Sequence, residues 1–128
     1  MEFQYTNLDH QYYIIVPKTT DALDRMYQYD IYDENGEIDT CFEYMTFFED
    51  SYYVLEMILF DPINLKCGTL INLYEEEVIE YEDLGKVKDV IESLENKELD
   101  VRTKNQVSRF IELLGSAIKF KTGLGFYF

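Results

Sequence analysis

Between residues 103 and 121, Val107, Phe110, Ile111, Leu114 and Ile118 recur at three- and four-residue steps, and this stripe sets the strongest condition on the fold. A helix with one apolar face must bury that face against another element. Thr103 and Gln106 have capping-box spacing at its start, and Lys119 and Lys121 sit where the helix dipole favours cations. Gly123 and Gly125 read as its stop, which leaves the closing FYF as an apolar tail that docks on the body. A second amphipathic helix is expected behind Asp83 as N-cap, with Leu84, Val87, Ile91 and Leu94 in phase, fraying near Asn96.

The surface these helices need is supplied upstream. QYYIIVP, residues 11–17, is a β-branched and aromatic run closed by proline, and reads as a first strand. A short helix follows, with Thr20 as N-cap and Leu23, Met26 and Tyr27 at helical spacing. From Tyr27 the pattern also fits period two, leading to a tight turn at DENGE, where Asn35-Gly36 supplies left-handed residues. Residues 40–48 and 52–60 read as two strands joined by EDS, the second with Tyr53, Leu55, Met57 and Leu59 on one face. Residues 67–74 read as a further strand. Strands in series followed by helices in series predict an α+β fold in one domain, 1–128. It is a mainly antiparallel sheet of about four to six strands with the C-terminal helices packed on one face. A chain of 128 residues suits one core without a disulfide framework. Cys41 and Cys67 are accordingly expected as reduced, apolar thiols.

Charge narrows the functional classes. The chain carries 26 Asp and Glu against 11 Lys and Arg, a net −15, yet 47% of its residues are hydrophobic, so the acids sit on a packed body. Residues 1–72 hold 14 acids and 3 bases (−11), residues 73–100 hold 11 and 3 (−8), and residues 101–128 hold 1 and 5 (+4). Nucleic acid and anionic lipid both demand neutralisation by Lys or Arg, so no direct nucleic-acid or membrane partner is expected. The opening stretch, MEFQYTNLDHQYYIIVPK, has no positive leader before a long apolar run, and nothing approaches the roughly 18 apolar residues of a membrane span. The expected location is cytoplasmic.

No motif names a reaction. DIYDENGEID fails as a calcium loop: with Gly36 as its sixth residue, the first and twelfth ligand positions are Ile31 and Phe42. His10 is the only histidine, and both cysteines fall inside expected strands, with no helix N-terminus to activate them. Gly123-Leu124-Gly125 follows a helix, whereas a phosphate cradle precedes one. The expectation is a protein that is not an enzyme, with no catalytic residues, cofactor or metal.

What stands out is aromatic. Twelve tyrosines and nine phenylalanines exceed the needs of one modest core, and tyrosine joins a large contact area to a hydrogen-bonding tip. Tyr27, Tyr29, Tyr32, Tyr74 and Tyr81 all lie within three residues of Asp or Glu. The run LYEEEVIEYED, residues 73–83, concentrates six carboxylates, and reads as a frayed strand end with a connecting loop. Tyr74, Glu75, Glu76, Glu77, Glu80, Tyr81 and Glu82 are the first candidates for a partner-binding surface. Asp30, Tyr32, Asp33 and Glu34 of the acidic turn are the second. In overall character the chain resembles the small acidic immunity proteins that bacteria make against their own basic nuclease toxins. That resemblance is one of composition, and it implies a basic protein partner, a cognate toxin domain neutralised by occlusion. Two further readings stand beside it: a nucleic-acid mimic directed at a defence or regulatory protein, and a motif-free enzyme working through paired carboxylates.

Overall fold

The computed structural model describes residues 11–128; His10 and the residues before it lie outside them. Four strands form one antiparallel sheet: β1 (Gln11–Pro17), β2 (Phe42–Phe48), β3 (Glu76–Glu80) and β4 (Gly123–Tyr127), in the order β2-β1-β4-β3. Among the described residues, four helical runs accompany it. α1 is Thr20–Tyr27; α2 covers residues 49–67; α3 is Leu84–Glu92; α4 is Val101–Phe120. The fold is α+β, with α4 lying across β1, β2 and β4.

The sheet has a thick side and a thin side. Alternation along β1 sends Tyr12, Ile14 and Val16 to the thick side, where α2, α3 and α4 close over Met45, Phe47, Ile79, Leu124 and Phe126. Six rings interlock there, from Tyr12, Phe47, Tyr52, Phe60, Phe126 and Phe128, with Phe60 and Phe128 centroids 5.2 Å apart. The thin side holds Ile15 under α1 and the 28–41 connection, with Ala22, Met26, Ile31 and Phe42 buried around it.

Several expectations are corrected. Residues 52–60 are helical: α2 runs as Glu49–Leu55, a π-helical turn Glu56–Phe60, and Asp61–Cys67. Tyr52, Leu55, Leu59, Phe60 and Ile63 all go inward. EDS therefore starts a helix and makes no hairpin. Residues 67–74 form no strand, because Gly68 (φ 70) ends α2 in the left-handed region and Asn64 then ties the chain down. Its amide donates to the Ile71 carbonyl, and its carbonyl oxygen accepts from Ile71 N–H.

The acidic run contains a genuine strand, β3, followed by a 3-10 turn at Tyr81–Asp83. The closing residues form β4 within the sheet in place of a docked tail. α1 is capped by Thr19 rather than Thr20, and α4 by Asp100, whose carboxylate accepts the Thr103 N–H at 2.8 Å and is held below its usual pKa mainly by that bond. The α4 face is rotated from the expected stripe: Leu113 and Ala117 are buried, while Ile111 and Ile118 are exposed.

Candidate functional site

β3 forms one outer edge of the sheet, and among the described residues β4 is its only strand neighbour. Its five residues divide by alternation. Ile79 joins the thick-side core, while Val78 packs on the thin-side cluster opposite Gly125. Glu76 and Glu80 share the Val78 face. Gly125 is what lets α1 lie so close, since a Cβ there would stand 2.6 Å from Met26 Sδ.

The rim of α1 supplies the other wall. Tyr27 Oη donates to Glu80 Oε2 at 3.2 Å, and its phenol pKa is raised by burial first and the Glu80 charge next. Tyr127 Oη donates to the Met26 carbonyl at 2.8 Å, satisfying the exposed end of α1. Tyr29 turns the chain with a left-handed backbone (φ 58), donates its N–H to the same carbonyl, and stands edge-on to Tyr127 at 6.3 Å. Between these walls lies an open cleft of about 340 Å³ lined by Met26, Tyr27, Tyr29, Glu76, Val78 and Glu80.

The 28–41 connection is held by one guanidinium. Arg25 Nε bonds Asp30 at 3.1 Å, Nη1 bonds Asp39 at 3.2 Å and Cys41 Sγ at 3.4 Å, and Nη2 bonds the Tyr32 carbonyl at 3.3 Å. The Arg25 charge also sits 5.9 Å above the Phe42 ring. The Asp39 carboxyl is held below its usual range by the Cys41 N–H and then by Arg25, while burial pushes the Cys41 thiol up, with Asp39 adding to it.

The two sequence-predicted stretches meet at this place in part. The Tyr127 phenol is pushed up chiefly by burial and then by Tyr29, Glu76 and Tyr32, so both stretches contribute to its electrostatics. Glu76 and Glu80 line the cleft. Glu77 is half-buried: one carboxylate oxygen accepts from Leu70 N–H at 2.7 Å, the other from Val78 N–H at 3.0 Å. Glu75 lies apart, beside Glu56 and Asp61. Tyr81 and Glu82 continue past β3 to a second hollow, with Tyr27, Glu80 and Lys121.

Tyr74 is 83% exposed and also left-handed (φ 65), its N–H donating to the Phe128 carbonyl. Asp30 is committed to Arg25, Asp33 accepts the Asn35 and Glu37 N–H groups inside its turn, and Glu34 is exposed beside it. Tyr27, Tyr29, Tyr32, Tyr74 and Tyr81 are all at least 40% exposed.

Sequence reasoning missed Tyr127 and Met26. The signal for Tyr127 was the alternation Phe126-Tyr127-Phe128, which puts the tyrosine on the face opposite two core phenylalanines. Cys41 and Cys67 are both free thiols, packed against different clusters. Among the described residues, no three His, Cys, Asp or Glu side chains are grouped to hold a metal ion, and no helix is long and apolar enough to cross a membrane. Comparisons with family models, with curated proteins and with solved structures find no match.

Proposed function

We propose that this chain is a small acidic binding protein that neutralises a basic protein partner by occlusion, in the manner of an immunity protein against a nuclease-type toxin. The observation that carries the reading is the pair Tyr29 and Tyr74. Both hold left-handed backbone, which costs a residue with a Cβ about 1–2 kcal/mol, and both leave their rings in solvent, 62% and 83% exposed. Glycine or asparagine would make the same turns more cheaply, and an exposed ring adds little to the core. Strain retained at exposed aromatic positions beside an acidic edge strand is what a contact surface needs.

The net charge of −15 draws a basic partner in, and Glu76 and Glu80 meet its Lys and Arg side chains. Tyr27, Tyr29 and Tyr74 supply the contact area that excludes water. The bound chain then covers the partner's anion-binding surface, with no chemical step.

The test uses a photo-crosslinking residue in place of Tyr29 in the native cell, with the same residue in place of exposed Ile118 on α4 as reference. A basic protein captured from position 29 and not from 118 is expected. Its association with wild type should slow steeply with salt, and Glu76→Gln with Glu80→Gln should lower the on-rate about three- to tenfold at low ionic strength. A captured partner that is acidic, or an on-rate unchanged by the double variant, overturns the reading.

A further inference from the structure

Among the described residues, no strand pairs with β3 on the side away from β4. In an antiparallel pair, N–H and C=O groups alternate between neighbour and outside. The Val78 N–H donates to the Glu77 carboxylate and so points away from β4, which places the main-chain groups of Glu76, Val78 and Glu80 on the outer edge. A free edge of this kind is a template for another strand.

Its side chains decide which strand. A second copy pairing antiparallel about Val78 would set Glu76 against Glu80 twice, and like charges directly opposite destabilise a sheet. The edge is closed to its own kind. A strand carrying Lys or Arg at alternate positions meets the opposite condition. Glu76 and Glu80 lie on one face, about 13 Å apart at strand rise, and the cleft beside them is walled by Tyr27 and Tyr29, over whose rings a cation can rest. Glu77 acts as a stopper: it occupies the Val78 N–H until an incoming carbonyl takes its place, and keeps its bond to Leu70 N–H.

We infer that the partner of this face binds as an extended, Lys- or Arg-alternating segment that adds a fifth strand to the sheet along β3. This rests on the binding reading above and names how the partner enters.

The experiment uses a nine-residue peptide with lysine at alternate positions and valine between, and two forms of it, N-methylated on the backbone of the lysines or of the valines. In a strand, these two sets of N–H groups point to opposite edges. One methylated form is expected to bind at least about tenfold more weakly than the parent and the other within about twofold, because only one edge faces β3. Amide chemical shifts of Glu76, Val78 and Glu80 should move most. Val78→Pro removes an outward N–H without touching the β3–β4 ladder, and should abolish peptide binding in a chain that still folds. Should that variant not fold, the methylated peptides decide alone.

Equal binding by both methylated forms overturns strand addition. If that binding is lost in the Glu76→Gln, Glu80→Gln variant, the acidic-face reading survives the loss of the strand mode. A parent peptide that does not bind also overturns strand addition, and the crosslinked partner's kinetics then judge the acidic face separately.

Discussion

The two sides of the sheet are built on different principles. On the thick side, 25 buried apolar side chains among the described residues form a continuous core under α2, α3 and α4; on the thin side only five do. What the thin side lacks in apolar burial it replaces with directed bonds: the Arg25 fork, Tyr127 to the Met26 carbonyl, and Tyr27 to Glu80. Apolar contact gives bulk stability, whereas polar tethers fix where particular side chains stand. Tyr27, Tyr29 and Tyr32, with Glu76 and Glu80, belong to the tethered side or its rim, whereas the exposed Tyr53 stands on α2 and Glu75 lies beside that helix. In the reading proposed above, recognition falls on the face opposite the one that supplies most of the apolar burial, so that each can be perturbed with little effect on the other.

The largest break in that comparison comes from paired truncations. Phe110→Ala, beneath Phe126 on the thick side, should cost about 3–5 kcal/mol. Met26→Ala should cost about 2 kcal/mol, at the low end because the smaller cluster can settle around the gap. Denaturant midpoints at constant slope measure both, and equal losses would dissolve the distinction between the faces. A smaller effect, with signs reversed between two readouts, is expected of Tyr29→Gly. Relief of the left-handed backbone should raise stability by up to about 1 kcal/mol. Loss of the ring should speed dissociation from the partner about tenfold. A variant no more stable than wild type would show that the turn carries no strain.

The smallest effect is one of pH. The folded Asp39 carboxyl titrates below its usual value, so its contribution is fully present above the ordinary carboxylate range and is lost as pH falls through the depressed folded value. Amide shifts of residues 28–41 should therefore change on acidification while those of β1 and β4 persist. Titration of Asp39 at the ordinary carboxylate value would remove the tether from the account.

The legible parts of the fold are those in which one signal was unopposed. β1 reads directly from its β-branched run and closing proline, and the 33–37 turn from Gly36, which alone of the expected Asn35-Gly36 pair takes up left-handed backbone. Residues 52–60 misled because eight of nine are apolar: such a run satisfies period two and period 3.6 alike. Residues 67–74 look like a strand from their run of apolar residues, but the chain there is tied down by the Asn64 side chain, which gives Ile71 the paired bonds a strand neighbour would give. In β4 the glycines read as a break, yet they are close-approach positions: a Cβ at Gly123 would lie 2.6 Å from the Ile79 carbonyl oxygen. The acidic, tyrosine-rich character of the site was visible in the residues around it. Its geometry was not, since the cleft joins α1 to β3 across roughly fifty residues of chain and depends on Tyr127, which belongs to neither stretch.

The central place of β4 has a consequence for how the protein is made. Among the described residues, β3 has no strand beside it until residues 123–127 are available, and Tyr127 joins Met26 across 101 residues of sequence. Contacts that distant slow folding, because loop entropy is lost before they reward it. At about 5–20 residues per second, synthesis from β3 to β4 takes roughly 3–10 s. Throughout that interval the acidic run exists as polypeptide but not as an edge. Newly made chains therefore pass through a delay in which the charge proposed to attract a basic partner is already present, while the ordered edge proposed to hold it is not.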